Sequence, residues 1–520
     1  MNKLKISPSL LTFLPAISLV PVSYELYTNL HLGGLSSIRI FLLAALNPSL
    51  DPTVIQSSIR AITVTISIAL IGWATSLLIG SFLGVISSNT FWITLGRSQK
   101  YAGFLKLLLC IPRSIHEIVW GLILVQIFGI SGWIAIIAIC IPSSCLISKV
   151  VRDQIDSLSP KPLTAIISSG SSASSAIVTS IIPPILPIIS SYGGYQLECS
   201  LRAATLLGIF GLGGIGTEIQ LTYLSLEFKE MWTSLWILGG VSMSLEILLN
   251  YIRQSKDIGD KVFKNLGANI SLISLLITSS LIYLNQIDIG FLDPLRYQPI
   301  EFPSINQILS ALNGLELVSL ISSTILITFL AAGIAIGVPP IAMLILPTKL
   351  SIKLQSFAWS IFRLIPPPLL VFLLMLCTKP CISISVLALG INSFGVMARL
   401  LKEKIDIQDS SIYQGVKANT ADLRTSWLYG FLTPNSRSYL AYAAYRLEVI
   451  FRETAIVGAA GGMGLGWQLR ESLSSFAWGE VLIVTTTYVC ISLIGERIAD
   501  KMQQYWLNPE LTDGQIGFQT

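Results

Sequence analysis

Glu198 and Arg202 are four residues apart, as are Glu448 and Arg452, and each pair sits in an otherwise apolar stretch. On a helix that spacing brings both side chains to one face, where they meet as an ion pair. Two readings of such a pair stay open: it neutralises itself and ties a span together, or Arg202 and Arg452 add positive potential beside an anion path. In either case, ionisable groups inside a membrane span face a bundle interior or a water-filled cavity. A glycine block follows each pair: Gly208, Gly211, Gly213, Gly214 and Gly216, then Gly458, Gly461, Gly462, Gly464 and Gly466. Such blocks suit close helix packing. They also suit a broken helix whose unwound backbone lines a cavity.

Other chemistry is missing from the pattern. The seven cysteines form no C-x-x-C pair and lie mostly in apolar runs, the usage of small packing residues. With His31 and His116 far apart, neither a metal site nor a catalytic cluster is expected. There is no Gly-Lys dipeptide, so no phosphate-binding loop of the G-x-x-x-x-G-K-[ST] type exists. The chain is therefore expected to hold no cofactor, and any ATP must be bound by partner subunits.

The elements that carry these residues are membrane spans. Of 520 residues, 52% are hydrophobic and only 12% charged, about half the charge of an ordinary soluble domain. Apolar runs long enough to cross about 30 Å of hydrocarbon lie near 8–24, 60–87, 102–128, 131–149, 176–195 and 231–251. A second set lies near 269–286, 318–346, 356–377, 381–400, 426–446 and 478–496. The first run resembles a signal peptide, but it lacks an A-x-A-like cleavage site and is read as a retained span. Placing the N-terminus inside puts most Lys and Arg in inside loops and leaves Arg39, Lys229, Arg296, Lys379 and Arg470 outside. Both termini are then cytoplasmic. No basic patch of the nucleic-acid type is present.

The two sets are copies of one another. A shift of 250 residues lays Tyr195-Gln-Leu-Glu198 on Tyr445-Arg-Leu-Glu448, and Arg202 on Arg452. It also superposes Gly208, Gly211, Gly214 and Gly216 on Gly458, Gly461, Gly464 and Gly466, Arg113 on Arg363, and Asp156 on Asp406. Over 195–216 and 445–466, eight of 22 positions are identical. The expected fold is an all-α polytopic membrane protein with about 12 transmembrane helices in two six-helix repeats, residues 1–258 and 259–520. Six spans per repeat make the copies parallel, related by an axis along the membrane normal with the solute path between them. The basic segment 251–265 is the linker.

Between spans four and five of each copy lies a segment able to form a short helix of small residues. The first contains Thr164, Ala165, Ser168 and Gly170, the second Gln414, Gly415, Ala418 and Thr420. These segments resemble the E-A-A-x-x-x-G coupling segment of binding-protein-dependent ABC permeases. Thr164 and Gln414 replace its acidic residue, Ile166 and Val416 its second alanine, and Thr420 its glycine. The block from Glu198 through Arg202 to Gly216 resembles the phosphonate-type permease signature, as does Arg113-Ser-Ile-His-Glu117. The resemblance covers about residues 60–250 and 320–500. It implies a type I ABC importer permease fused from two units. Its partners would be two ATP-binding cassette subunits, a periplasmic solute-binding protein and membrane lipid, in the plasma (inner) membrane. Its solute would be a phosphonate, phosphite or phosphate, and the chain would not itself be an enzyme. An ion-coupled secondary transporter with 6+6 parallel repeats is the alternative, although the recurrent acids are matched by arginine, which argues against a proton relay.

Overall fold

A computed structural model describes residues 8–159, 161–254, 266–286, 297, 302–348, 351–352, 354–355, 358–359, 365–408, 411–420 and 422–507. Among these every regular element is a helix, as hydrocarbon requires of chain segments that must satisfy their own backbone. Seven helices are long and apolar enough to cross a membrane: Pro8–Asn29, Pro52–Ser87, Gly132–Ser157, Phe228–Leu249, Leu317–Ile345, Ile382–Asp406 and Trp478–Gln503. Counting two bent pairs as spans raises the number to nine. The chain is a multi-pass, all-helical membrane protein.

The expected runs at 102–128 and 176–195 are the two that bend. Lys100–Ser114 meets Glu117–Phe128 at 83°, and Ala173–Ser180 meets the helix beginning at Ile182 at 51°. At the first bend Ile115 and His116 are extended. There Ser114 Oγ donates to the Cys110 carbonyl at 2.8 Å, and Trp120 Nε1 to the Pro112 carbonyl at 3.2 Å. At the second, Pro183 and Pro184 supply no N–H for a continuing ladder, so the helix restarts. The expected run at 426–446 is replaced by the helix Thr433–Ala459, which carries Arg437, Arg446, Glu448, Arg452 and Glu453 and is too charged to pass as a uniformly apolar span. At 356–377 the described helix is only Pro367–Met375. The run at 269–286 lies within Leu266–Gln286.

The chain folds into two compact units, Phe41–Glu301, and Met1–Ile40 with Phe302–Thr520. In the first, Pro52–Ser87 packs along Gly132–Ser157. A Cβ on Gly80 would lie 2.7 Å from Ile147 Cβ, and one on Gly84 2.6 Å from Val151 Cβ, so these glycines set how closely the helices approach. Ile182–Leu207 lies against both helices, and Trp73 Nε1 donates to the Gly193 carbonyl at 2.7 Å. Leu266–Gln286 packs on Pro52–Ser87 in the same unit.

In the second unit Leu317–Ile345 packs on Ile382–Ile407, and Thr433–Ala459 on Trp478–Leu507. The chain's first span belongs here. Gly333 accepts it closely, since a Cβ there would meet the Pro15 carbonyl at 2.7 Å. The Glu25 carboxylate accepts from Ile382 N at 3.2 Å, Ser383 N at 3.1 Å and Ser383 Oγ at 2.6 Å. It thereby satisfies N–H groups that the start of Ile382–Ile407 leaves open. His31 N donates to the Cys377 carbonyl at 2.8 Å, and Lys379 N to the Asn29 carbonyl at 3.1 Å. Each unit thus takes a helix from the opposite end of the sequence duplication. The expected repeat boundary at 258/259 and most of the linker lie outside the described residues, as does Arg363.

Candidate solute path and coupling surfaces

The glycine blocks are helix breaks, and they are close-packed as well. The helix Ile182–Leu207 passes through a π turn at Gly208–Leu212 and stops; Gly211, Gly213 and Gly214 take φ values of +91°, +91° and +81°. A new helix, Ile215–Leu224, starts at once. The second copy breaks at Gly461 and Gly464, φ +107° and +92°, before Leu465–Ser474. Each restart is pinned by a threonine on a remote helix: Ile215 N donates to Thr65 Oγ1 at 2.8 Å, and Leu465 N to Thr324 Oγ1 at 2.9 Å. Gly214 and Gly464 have no room for a Cβ, which would collide with those same hydroxyls. Gly208 and Gly458 are the crossing points, where a Cβ would lie 2.5 Å from the Gly213 carbonyl and 2.6 Å from Gly466 Cα. The two threonines were invisible to the repeat alignment. They are 259 residues apart whereas Ile215 and Leu465 are 250 apart, so a nine-residue slip hides the match.

Both Glu–Arg pairs form on the helices that lead into these breaks. Arg202 Nη2 lies 2.5 Å from Glu198 Oε1, and Arg452 Nε 3.1 Å from Glu448 Oε1. Their surroundings differ. The Arg202 side chain is 43% exposed, the Arg452 side chain 14%. The second copy adds a buried cluster: Arg446 Nη2 donates to Glu453 Oε1 and Oε2 at 3.0 and 3.2 Å and to Ser393 Oγ at 3.0 Å. At the equivalent first-copy positions, Gln196 Nε2 donates to Ser143 Oγ at 2.9 Å and Ala203 replaces the acid. Arg446 and Glu453 are seven apart, two turns on one face, so their pairing was legible from spacing alone.

The candidate coupling segments are helices that show small residues to solvent. In Lys161–Ser168, Thr164, Ala165 and Ser168 are exposed while Leu163 is buried and Ile166 half-buried. Leu163 joins Ile147, Val151, Ile155, Ala176, Ile177, Ile181 and Ile185 in one cluster. Gly170 ends the segment at φ +88°. In Ser411–Asn419, Gln414, Gly415 and Ala418 are exposed, Tyr413 and Val416 half-buried, and Thr420 follows the helix. Tyr413 stacks on Phe431 with ring centroids 4.4 Å apart. Gln408 Nε2 donates to the Gly430 carbonyl at 2.9 Å. The inward and outward positions of the two helices therefore match one for one at the 250-residue offset. After the second, the Asp422 carboxylate caps Leu423–Trp427, accepting from Arg424 N at 3.2 Å, Thr425 N at 3.0 Å and Thr425 Oγ1 at 2.5 Å. The Thr425 side-chain hydrogen bond, then the backbone N–H bonds, lower its pKa below the usual carboxylate value.

Arg113 is 7% exposed at the 83° bend, and its Nη2 donates to Cys110 Sγ at 3.3 Å. Asp156 and Asp406, equivalent in the repeat, do different things. Asp156 accepts from Asn89 N and Thr90 N at 3.2 and 3.1 Å and lies 3.6 Å from Lys106 Nζ, while Asp406 lies 3.3 Å from Lys402 Nζ. Among the described residues no group of three or more His, Cys, Asp or Glu is placed to hold a metal.

Discontinuous helices of this kind recur in membrane transporters, and similarity to known proteins can be set beside them. The chain is 22% identical over 395 residues to the phosphate-import permease protein PhnE of Mycolicibacterium smegmatis, covering 72% of each chain. It is 23% identical over 200 residues to the phosphite transport system permease protein PtxC of Stutzerimonas stutzeri, covering 38% of this chain and 70% of that protein. A relative from Escherichia coli K12, 28% identical over 109 residues (21% of this chain, 88% of that protein), carries the name of a cryptic phosphonate transport system permease protein. Relatives of this chain are thus permease proteins of phosphate, phosphite and phosphonate transport systems, the class to which the sequence resemblance pointed. No family model matches the chain, and no solved structure does.

Proposed function

We propose that this chain is the transmembrane subunit of an ABC importer, taking up a small phosphorus oxyanion by alternating access. In this reading it forms two parallel six-helix repeats, residues 1–258 and 259–520, in the inner membrane with both termini cytoplasmic. Separate ATPase subunits bind the coupling helices, a periplasmic binding protein delivers the solute, and the chain catalyses no reaction itself. The observation that carries the proposal is the matched pair of short helices, each with small residues at the same outward positions and with Leu163 and Ile166, or Tyr413 and Val416, turned inward at one sequence offset.

The inward residues connect docking to the path. Force on Thr164–Ser168 passes through Leu163 to Ile177, Ile181 and Ile185, hence to the helix that holds Glu198, Arg202 and the Gly208–Gly214 break. In the second unit Tyr413 and Phe431 connect Ser411–Asn419 to the helix of Glu448, Arg452 and the Gly458–Gly464 break. The phosphorus oxyanion as solute is supported by the functions named for the relatives together with the exposed arginine, Arg202, on the first path helix. Arginine suits it because a planar guanidinium matches phosphate geometry.

Ala165→Arg and Gly415→Arg test the docking step. Both positions are exposed, and nothing lies within 4 Å of a Cβ at Gly415. Folding should be unchanged, with stability within about 0.5 kcal/mol, while co-purification with the ATPase and ATP-dependent uptake in proteoliposomes are lost. Uptake that ignores both substitutions, survives ATP depletion and collapses with an ion gradient would establish the secondary-transporter alternative instead.

A further inference from the structure

We propose that the two units divide the work of their arginines: Arg202 recognises the anion, whereas Arg446 and Arg452 are positioning residues locked in buried ion pairs. The inference rests on the importer reading above and adds an asymmetry to it. In Thr433–Ala459 the arginines at 446 and 452 are both closed by a carboxylate of the same helix, Glu453 and Glu448. Arg446 is only 8% exposed and also reaches Ser393 on Ile382–Ile407, so it ties two spans together. The first copy does that tying without charge, through the Gln196–Ser143 hydrogen bond between residues 4% and 3% exposed. Two positions change together at one offset, Gln196 to Arg446 and Ala203 to Glu453, while the serine they surround, Ser143 and Ser393, is constant. An added cation whose matching anion is added two turns away is a self-neutralising brace, and it leaves the unit's net charge unaltered.

Arg202 stands differently. It is held by Glu198 yet keeps 43% of its side chain exposed. An exposed guanidinium on a span is tolerated where it meets water rather than hydrocarbon. It lies six residues, about 9 Å along the axis, before the Gly208 turn. Glu198 fixes the direction of the fork, and the exposed face remains open to a second oxyanion.

The test uses the chain with its ATPase and binding protein in proteoliposomes. Uptake of phosphate, phosphite and methylphosphonate is measured at saturating binding protein. Arg202→Gln should lower uptake about tenfold, as expected for one lost charge-assisted hydrogen bond, and Arg202→Lys should retain part of it. Arg446→Gln alone should lower the yield of folded protein because Glu453, 16% exposed, is left without its guanidinium partner. Arg446→Gln with Glu453→Ala recreates the first copy's pattern and should restore both yield and uptake to within about twofold of wild type. In a chain stripped of its seven cysteines, Arg202→Cys should react with a charged thiol reagent and be protected by methylphosphonate. Wild-type uptake at Arg202→Lys or Arg202→Gln, absence of protection at Cys-substituted 202, or a folded but inactive Arg446/Glu453 double variant each overturns the division. Failure of the wild-type complex to transport any of the three anions overturns the importer reading itself.

Discussion

Gly464→Ala isolates the physical origin of the helix break. Gly464 has φ +92° and ψ −162°, a region open essentially to glycine alone. Forcing an L-residue there costs about 1–3 kcal/mol. The added methyl would also sit 2.6 Å from Thr324 Oγ1, the acceptor for Leu465 N at 2.9 Å. Displacing that hydroxyl orphans a buried N–H at about 1–3 kcal/mol. The sum is about 2–6 kcal/mol, the lower end applying if the chain relaxes. Three comparison variants separate the terms. Thr324→Val removes only the hydrogen bond and should cost about 1–3 kcal/mol. Gly464→Ala with Thr324→Ala relieves the collision but not the backbone strain, so at least about 1 kcal/mol should persist beyond Thr324→Ala alone. Gly495→Ala, inside Trp478–Leu507 with nothing within 4 Å of its Cβ, should stabilise by about 0.5–1 kcal/mol, the opposite sign. The measurement is the thermal midpoint and refolded fraction of each purified chain in one detergent. A Gly464→Ala protein as stable as Gly495→Ala would refute the left-handed break.

Two further outcomes concern the helix Ser411–Asn419 and the cap that follows it. Tyr413→Ala removes the ring stacked on Phe431 and should cost about 0.5–1.5 kcal/mol beyond lost burial; it should weaken ATP-dependent uptake without abolishing ATPase binding, which a pull-down set beside an uptake assay would check. Asp422 has a lowered pKa, so its capping contribution is complete above the ordinary carboxylate value and disappears only as pH falls through the lower folded value. Trypsin cleavage after Arg424, normalised at each pH to cleavage of an unstructured reference peptide, should therefore be constant from pH 8 to about 5 in the native chain, and faster at every such pH in Asp422→Ala; a rise in the normalised rate between pH 8 and 6 in the native chain would contradict the assignment.

What the sequence by itself determined was everything carried by local chemistry and by one register. Apolar runs marked most spans, because a chain in hydrocarbon has to close its own hydrogen bonds. The four-residue spacing of Glu198 and Arg202 placed a pair that the helix then formed. The 250-residue offset aligns Ala165 with Gly415, and both are exposed on their helices. The glycines left close packing and a broken helix open; the positive φ angles at Gly211, Gly214, Gly461 and Gly464 add the break to the packing.

The tertiary structure alone decided which remote groups meet. Thr65 and Thr324 reach the restarts after the glycine breaks from helices far away in sequence, across a register slip that no ungapped alignment crosses. Glu25 caps a helix that begins at Ile382, so the first span joins the opposite half of the duplication. Arg202 and Arg452 look equivalent in sequence, yet one keeps 43% of its side chain exposed and the other 14%. Exposure belongs to the packed neighbours rather than to the residue, so the spacing along one helix does not report it.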